Sequence, residues 1–252
     1  MSGESKRAAA RQRIAAKRTA EAAARAAAER RRRTVIGGVV AGIVLIVVLV
    51  AVVVVQTHRT SASAGAAAPA NTTGNGYVFA VGSADAPVTL DLYEDFQCPN
   101  CKALEDSTGS TINGLVTAGT VQVHYHGMAF LNTAQNGQYS TRALNAAAVV
   151  TNAAGPEAYK TFHDLLFANQ PTEGGSGLTD DQLIAYAAQA GATGAAVEQG
   201  IRDLVYGDWV AQAEDQASKD GVTGTPTVFV DGTKLDDLTP DGLTAAVTAA
   251  QQ

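Results

Sequence analysis

The sequence predicts an α/β domain that contains an inserted all-helical block and follows a single transmembrane helix. Three observations support this fold class. An unbroken apolar run covers residues 35–55. A strand–helix–strand pattern surrounds the two cysteines of the chain, between residues 88 and 126. Residues 138–219 are almost wholly helical in pattern, and strand patterns return after them.

Residues 1–34 form a basic arm, with 11 Lys and Arg and 3 Glu, a net charge of +8. Because the whole chain has 18 basic and 24 acidic residues, the remainder has a net charge of −14. The arm is rich in alanine, which favours helix, but it lacks aromatic residues, so we expect a solvated cytoplasmic tail. Charge alone would permit nucleic-acid binding. Attraction of the Arg cluster at 30–33 to anionic lipid headgroups is the favoured interpretation, and no nucleic-acid partner is predicted.

The apolar run Val35–Val55 is long enough to span a membrane, since 21 helical residues extend about 31 Å. Four arginines precede it and only His58 and Arg59 follow it, which places the N-terminus in the cytoplasm. A cleaved signal peptide is the alternative, with Ala62-Ser63-Ala64 as its site. Either topology exports the body to a compartment where disulfides persist. The prediction is a single-pass protein of the cell membrane with an extracytoplasmic body.

Residues 56–76 are small and polar, which predicts a flexible linker with a root-mean-square span of about 25 Å. The body is therefore assigned to residues 77–252. Its first part has strand patterns over Tyr77–Ala80, Val88–Tyr93 and Thr120–His126, with a helical pattern over Lys102–Val116. A strand–helix–strand unit predicts that its two strands pair in parallel.

The helical block is assigned to about residues 132–220. Its predicted helices cover Ala143–Ala153, Ala158–Ala168, Asp180–Ala190 and Ala195–Lys219. After it, Pro226–Val230 and a short partner over Thr233–Leu235 flank Asp231-Gly232, which is a strong hairpin signal. Thr239 then predicts the N-cap of a last helix, with Pro240 at its first position.

The two cysteines, Cys98 and Cys101, lie where a strand ends and a helix begins. The free amide N–H groups and the dipole at a helix N-terminus favour negative charge, so we expect a lowered pKa for Cys98. Cys101, one turn further on, is close enough to close a disulfide and is expected to be more buried. Pro99 suits the first helical turn, where its missing N–H costs nothing.

Two other roles are possible for a pair of cysteines at this spacing. Cys-x-x-Cys is half of a zinc site, and His124 and His126 could complete it, but strand alternation also explains these histidines, and no metal is predicted. A purely structural disulfide across four residues would constrain the unfolded chain little. His163 is expected to be structural or solvated rather than catalytic.

The motif at residues 94–101, together with Val222–Thr227, resembles the DsbA-like thiol:disulfide oxidoreductases. With its alanine-rich composition, predicted anchor and N-terminal tail, the chain resembles the membrane-anchored versions of actinobacteria. The resemblance covers about residues 77–252 and implies a thioredoxin fold with an inserted helical domain. It implies that Cys98 is the attacking or attacked cysteine and Cys101 the resolving one. It also implies that Thr225-Pro226 forms a cis-proline loop that binds substrate, and that no cofactor is needed beyond the redox-active disulfide.

This sequence departs from the family pattern at two places. Asn100 replaces the histidine of the strongest oxidants, so Pro99, Asn100 and Asp95 are candidates for tuning the thiolate. Leu92 occupies the position of a buried acid six residues before the first cysteine. Asp91 and Glu94 are expected on the opposite strand face, which would leave proton handling for Cys101 to Asp95, Glu94 or water.

The resulting hypothesis is a membrane-tethered thiol–disulfide oxidoreductase that introduces disulfides into exported proteins. Its expected partners are exported substrates with thiols or disulfides and a membrane protein that re-oxidises the cysteine pair. A reductase or isomerase, a non-enzymatic exported binding module and a zinc protein are the alternatives.

Overall fold

The computed structural model describes residues 66–252. The predicted basic tail, the predicted transmembrane segment Val35–Val55 and the start of the predicted linker lie outside the described residues. Within residues 66–252, no helix is both long enough and apolar enough to cross a membrane.

A five-stranded mixed sheet forms the centre of the domain, with the order β1-β3-β2-β4-β5. The strands are β1 (Phe79–Val81), β2 (Val88–Asp95), β3 (Val121–Met128), β4 (Thr227–Val230) and β5 (Thr233–Lys234). The β2 and β3 strands pair in parallel, which confirms the prediction from the strand–helix–strand pattern, and the other three pairings are antiparallel.

Six α-helices surround this sheet in the described part of the chain. They are α1 (Pro99–Thr117), α2 (Tyr139–Ala168), α3 (Asp180–Gln189), α4 (Ala195–Arg202), α5 (Gly207–Lys219) and α6 (Pro240–Ala250). The α2 helix is kinked at Gly155, whose φ of 84° and ψ of −175° are not helical, because Pro156 follows it. The predicted helical block between β3 and β4 therefore corresponds to α2 through α5.

One face of the sheet carries most of the core. Leu90 and Leu92 of β2 and Val123 and Tyr125 of β3 are almost fully buried on this face, and α1, α2 and α6 pack against the sheet. Alternation places Asp91, His124 and His126 on the other face of the sheet, where each is half-buried.

The prediction of one continuous helix over Ala195–Lys219 was wrong. The chain turns at residues 203–206, where Leu204 has a φ of 51°. Buried Asn145 of α2 explains the break, because its side-chain amide donates to two α4 carbonyl oxygens at 3.2 and 3.3 Å. Its carbonyl oxygen accepts from the Tyr206 N–H at 2.8 Å. The backbone groups that lose their helical partners at this turn are therefore hydrogen-bonded by a side chain of α2.

The predicted flexible linker is also shorter than its composition suggested, since residues 66–76 make specific contacts with the domain. The Ala70 N–H donates to Asn152 Oδ1 at 3.0 Å, and Asn71 Nδ2 donates to the Thr151 carbonyl oxygen at 3.0 Å. Trp209 Nε1 donates to the carbonyl oxygen of Gly76 at 2.8 Å. Composition detects the absence of large apolar side chains, but it cannot detect long-range hydrogen bonds to short polar ones.

The C-terminal hairpin and the last helix begin as their local sequence predicts. Asp231 and Gly232 both have positive φ, 45° and 77°, as a tight two-residue turn requires. The Thr239 hydroxyl accepts a hydrogen bond from the Gly242 N–H at 3.1 Å, and Pro240 occupies the first turn of α6.

Candidate active site

Cys98 lies at the junction between β2 and α1, three residues after the strand ends. It is the N-cap of α1, with extended backbone angles of −76° and 117°, and Pro99 is the first helical residue. The free amide groups of the first helical turn therefore surround its sulfur. Both cysteines are free thiols in this structure.

The environment of the Cys98 sulfur favours a thiolate. The pKa of Cys98 falls from 9.0 to about 6, chiefly because the Cys101 thiol hydrogen-bonds to it. Burial acts in the opposite direction, while Thr225 and the backbone N–H groups of Cys101 and Asn100 lower the pKa further. In the protonated state, Cys98 Sγ donates to the Thr225 carbonyl oxygen at 3.4 Å.

Cys101 has the opposite character. It is fully buried. Burial, the hydrogen bond to Cys98 and the charge of Glu94 all hold the pKa of Cys101 far above its usual range. One thiol of the pair is thus an anion near neutral pH, while the other keeps its proton.

Thr225 and Pro226 stand against Cys98, and the peptide bond between them is cis. The predicted substrate-binding residues and the predicted nucleophile are thus neighbours in space, although 127 residues separate Cys98 and Thr225. An open groove runs from these residues along α1. It is lined by Asn100, Ala103, Leu104, Ser107, Thr225, Pro226 and Leu238. Pro99 and Asn100 are exposed, whereas Cys98 itself is only 5% exposed.

Asp95, predicted as a candidate for thiolate tuning, is fully buried and holds the surrounding loops. Its carboxylate accepts hydrogen bonds from the N–H groups of Gln97 and Leu131 and from the Ser140 hydroxyl, at 2.8, 2.9 and 2.7 Å. Burial raises the pKa of Asp95, and these three donors oppose that increase. The Cys98 N–H also donates to the Asp95 backbone oxygen at 2.9 Å, so Asp95 positions Cys98 through the main chain.

The sequence did not predict the amide side chains that hold the turn around Cys98. Gln97 is fully buried. It donates to the Gly175 carbonyl oxygen at 2.9 Å and accepts from Asn136 Nδ2 at 2.7 Å. Gln170 Nε2 donates to the Cys98 carbonyl oxygen at 2.9 Å. These bonds connect the loops before and after α2 to the turn that holds Cys98. The only sequence signal was the position of Gln97 next to the cysteine.

Glu94 was expected on the strand face opposite Leu92, and this was wrong. The two residues are two positions apart in β2 and therefore share a face. Glu94 is 5% exposed and contacts His163, with Glu94 Oε2 at 3.1 Å from His163 Nε2. Although burial lowers the pKa of His163, its hydrogen bonds to Asp164 and Glu94 raise the pKa to about 9. Burial and the charge of Glu94 raise the pKa of Glu105 to about 7.

His124 and His126 do not approach the cysteines as a zinc site would require. Both contact Asp91, at 3.5 Å from His124 Nδ1 and 2.9 Å from His126 Nε2. Burial raises the pKa of Asp91, but hydrogen bonds from the two histidines outweigh it and lower the pKa to about 2. Within residues 66–252, the one group of three candidate metal ligands contains neither cysteine.

Comparison with known proteins places this site in a family. The family model described as thioredoxin matches residues 74–249. Among solved structures, the reduced disulfide bond oxidoreductase DsbG of Mycobacterium tuberculosis is 33% identical with a TM-score of 0.63, covering 70% of this chain and 88% of that one. Reduced DsbA of the same species is 30% identical with a TM-score of 0.60, covering 70% and 98%. The thiol-disulfide oxidoreductase MdbA of Actinomyces oris is 26% identical with a TM-score of 0.61, covering 74% and 94%.

Curated relatives match over a smaller part of their length. The serine/threonine-protein kinase PknE of M. tuberculosis is 34% identical over 112 residues, which are 43% of this chain and 20% of the kinase. The Na(+)/H(+) antiporter NhaA 3 of Salinispora tropica is 29% identical over 170 residues, which are 67% of this chain and 24% of the antiporter. The chain thus spans about a fifth to a quarter of these relatives, and the activities in their names remain those of the relatives.

Proposed function

Because the chain belongs to the thioredoxin family, among structural relatives that are thiol-disulfide oxidoreductases, we propose that it oxidises thiols of exported proteins to disulfides. Cys98 and Cys101 are the redox pair and need no further cofactor. The observation that carries the proposal is the unequal pair of thiols at the start of α1, with the pKa of Cys98 at about 6 and that of Cys101 raised.

The lowered pKa of Cys98 favours the oxidising direction for two reasons. A stabilised thiolate lowers the free energy of the dithiol form relative to the disulfide, so the disulfide is more readily reduced by substrate thiols. A thiol of low pKa is also the better leaving group in the step that releases the oxidised substrate.

The exchange runs in two displacements. A substrate thiolate attacks Cys98 Sγ of the Cys98–Cys101 disulfide, so a mixed disulfide forms and Cys101 leaves with the electron pair and takes up a proton. A second substrate thiolate then attacks the substrate sulfur of the mixed disulfide. Cys98 leaves as a thiolate, the substrate gains its disulfide, and the two electrons remain in the dithiol of the enzyme.

The groove beside Thr225 and Pro226 binds the substrate chain during this exchange. It opens next to the Cys98 sulfur, and its walls combine apolar side chains with the backbone of the 225–226 loop. An extended peptide with a cysteine can place its main chain along this loop while its thiol reaches Cys98.

The proposed setting is the outer face of the cell membrane, with the chain tethered by Val35–Val55. Support comes from the length of that apolar run and from the four arginines before it. A membrane protein that accepts electrons must then regenerate the disulfide, since the chain has only these two cysteines.

The direction of exchange is tested by equilibrating the full chain with glutathione buffers and measuring the dithiol fraction by alkylation. We expect a potential clearly more oxidising than the roughly −270 mV of thioredoxin. A value at or below that of thioredoxin would refute the oxidase and favour a reductase. Asn100→His is an informative companion variant, because the added side chain can stabilise the thiolate and make the pair more oxidising still.

Substrates are identified by trapping. Cys101→Ala retains the attacking sulfur but cannot resolve the intermediate, so it accumulates mixed disulfides with exported proteins in cells. Cys98→Ala is the matched control, and its buried remaining thiol should trap none. Equal trapping by both variants would contradict the assignment of Cys98 as the attacked sulfur.

A further inference from the structure

Glu94, Glu105 and His163 bring three potential metal ligands together beneath the active-site helix. They come from the end of β2, the second turn of α1 and the second half of α2. One ligand atom of each residue lies within 4.8 Å of the other two. Glu105 is four residues after Cys101, so the cluster lies one helical turn below the thiol pair and is distinct from it.

The protein leaves three polar atoms in and beside this cluster without a hydrogen-bond partner within the described residues. Glu94 Oε1, Glu105 Oε1 and the Tyr125 hydroxyl are buried without a hydrogen-bond partner in the described structure. Glu94 is more than nine-tenths buried. A buried carboxylate oxygen without a partner is costly and indicates a missing ion, proton or water.

The charge of the cluster favours a cation over a water molecule. Two carboxylates this close repel each other when both are ionised. Lys160, whose charge acts on Glu105, is held by Asp164 through two contacts of 2.7 Å. A divalent ion between Glu94 and Glu105 would neutralise both carboxylates.

His163 is oriented as a metal ligand usually is. Without an ion, His163 hydrogen-bonds to both Asp164 and Glu94. A metal ion would take the place of the Nε2 proton, while Nδ1, 3.2 Å from Asp164 Oδ1, still donates to Asp164. The 3.1 Å between His163 Nε2 and Glu94 Oε2 is close to the separation of about 3.3 Å expected for two ligands at about 2.0 Å on a tetrahedral ion.

We propose that Glu94, Glu105 and His163 bind a divalent transition metal, with Zn²⁺ as the best match. Zn²⁺ accepts imidazole and carboxylate ligands together, and three protein ligands leave a fourth position for water. Partial exposure of Glu105 provides an entry path from the surface. The ion would join β2 and α1 to the inserted helical block through α2, so its main expected role is structural.

Zinc binding is tested in the full chain with Cys98→Ser and Cys101→Ser, so that no thiol can bind the metal, and without a histidine tag. We expect one Zn²⁺ per chain by mass spectrometry. Glu105→Gln and His163→Gln should each weaken zinc binding more than about tenfold. Glu157→Gln, on the exposed surface of α2, and His124→Gln, in the other histidine cluster, should retain the ion.

Less than about one-tenth of a zinc per chain, or equal binding by Glu105→Gln, would overturn the proposal and leave a buried proton or water as the occupant. If the ligand variants fail to fold, a Co²⁺ titration of the thiol-free parent decides instead. Visible bands of a low-coordinate nitrogen–oxygen site support the proposal, and their absence overturns it. Zinc should also raise the melting temperature of the thiol-free chain but not that of Glu105→Gln.

Discussion

The dithiol form should become more stable as the pH rises through the pKa of Cys98. This pKa is lowered from 9.0 to about 6 on folding. The stabilisation is therefore present at high pH and is lost as the pH falls through about 6, because the unfolded thiol is protonated throughout this range. Between about pH 5 and about pH 7, the free energy of unfolding should rise by about 1.4 kcal/mol from this group alone. Solvent screening at the partly open site reduces the expected rise to about 1 kcal/mol.

Denaturant titration of the reduced protein at several pH values measures this effect, with Cys98→Ser as the matched control. The control keeps every other titrating group, so the difference in free energy of unfolding between the two proteins isolates the thiolate. Thiolate absorbance should rise with the same midpoint of about 6 in the reduced protein. Parallel pH profiles for the two proteins would refute the assignment of a stabilised thiolate to Cys98.

Three further substitutions test the fold around the site. Asp95→Asn should lower the free energy of unfolding by about 2 kcal/mol, because one of the three charge-assisted hydrogen bonds is lost and the others weaken; exposed Asp85→Asn is the control in the same denaturant assay. Asn145→Ala should cost about 3 kcal/mol, since it removes the partner of the Ile201 carbonyl oxygen and of the Tyr206 N–H and leaves Gly200 only its bond from the Val205 N–H, whereas exposed Asn152→Ala should cost under about 1 kcal/mol. Because the pKa of Asp91 is lowered from 3.8 to about 2, the wild-type chain should lose about 1.5 kcal/mol more than Asp91→Asn as the pH falls from about 5 to about 2; equal acid profiles of these two proteins would contradict the Asp91–histidine pairing.

The order of the elements and the position of the thiols could be predicted because their signals are local. Strand alternation over residues 88–93, the Asp231-Gly232 turn and the Thr239-Pro240 cap each depend on neighbouring residues only. The placement of Cys98 at a helix N-terminus follows from the same local information, since a strand pattern ends and a helical pattern begins around it.

The polar contacts that hold the site could not be predicted, because their partners are distant in the sequence. Gln97 contacts Asn136 and the loop at 172–175, and Asn145 ends a helix that lies 55 residues further on. A continuous helical pattern over 195–219 gives no sign of that break. The burial of Glu94 follows from strand alternation alone, but its pairing with His163, 69 residues away, requires the tertiary fold.

The sheet order has a consequence for the proposed exchange with extended polypeptides. Any open strand edge can recruit such chains by main-chain pairing and seed an intermolecular aggregate. Here the outermost strands are the shortest, with three residues in β1 and two in β5. Long, hydrogen-bond-rich strands are confined to the middle of the sheet. In the proposed exchange, the domain would therefore meet unfolded polypeptides while offering them only short strand edges for association.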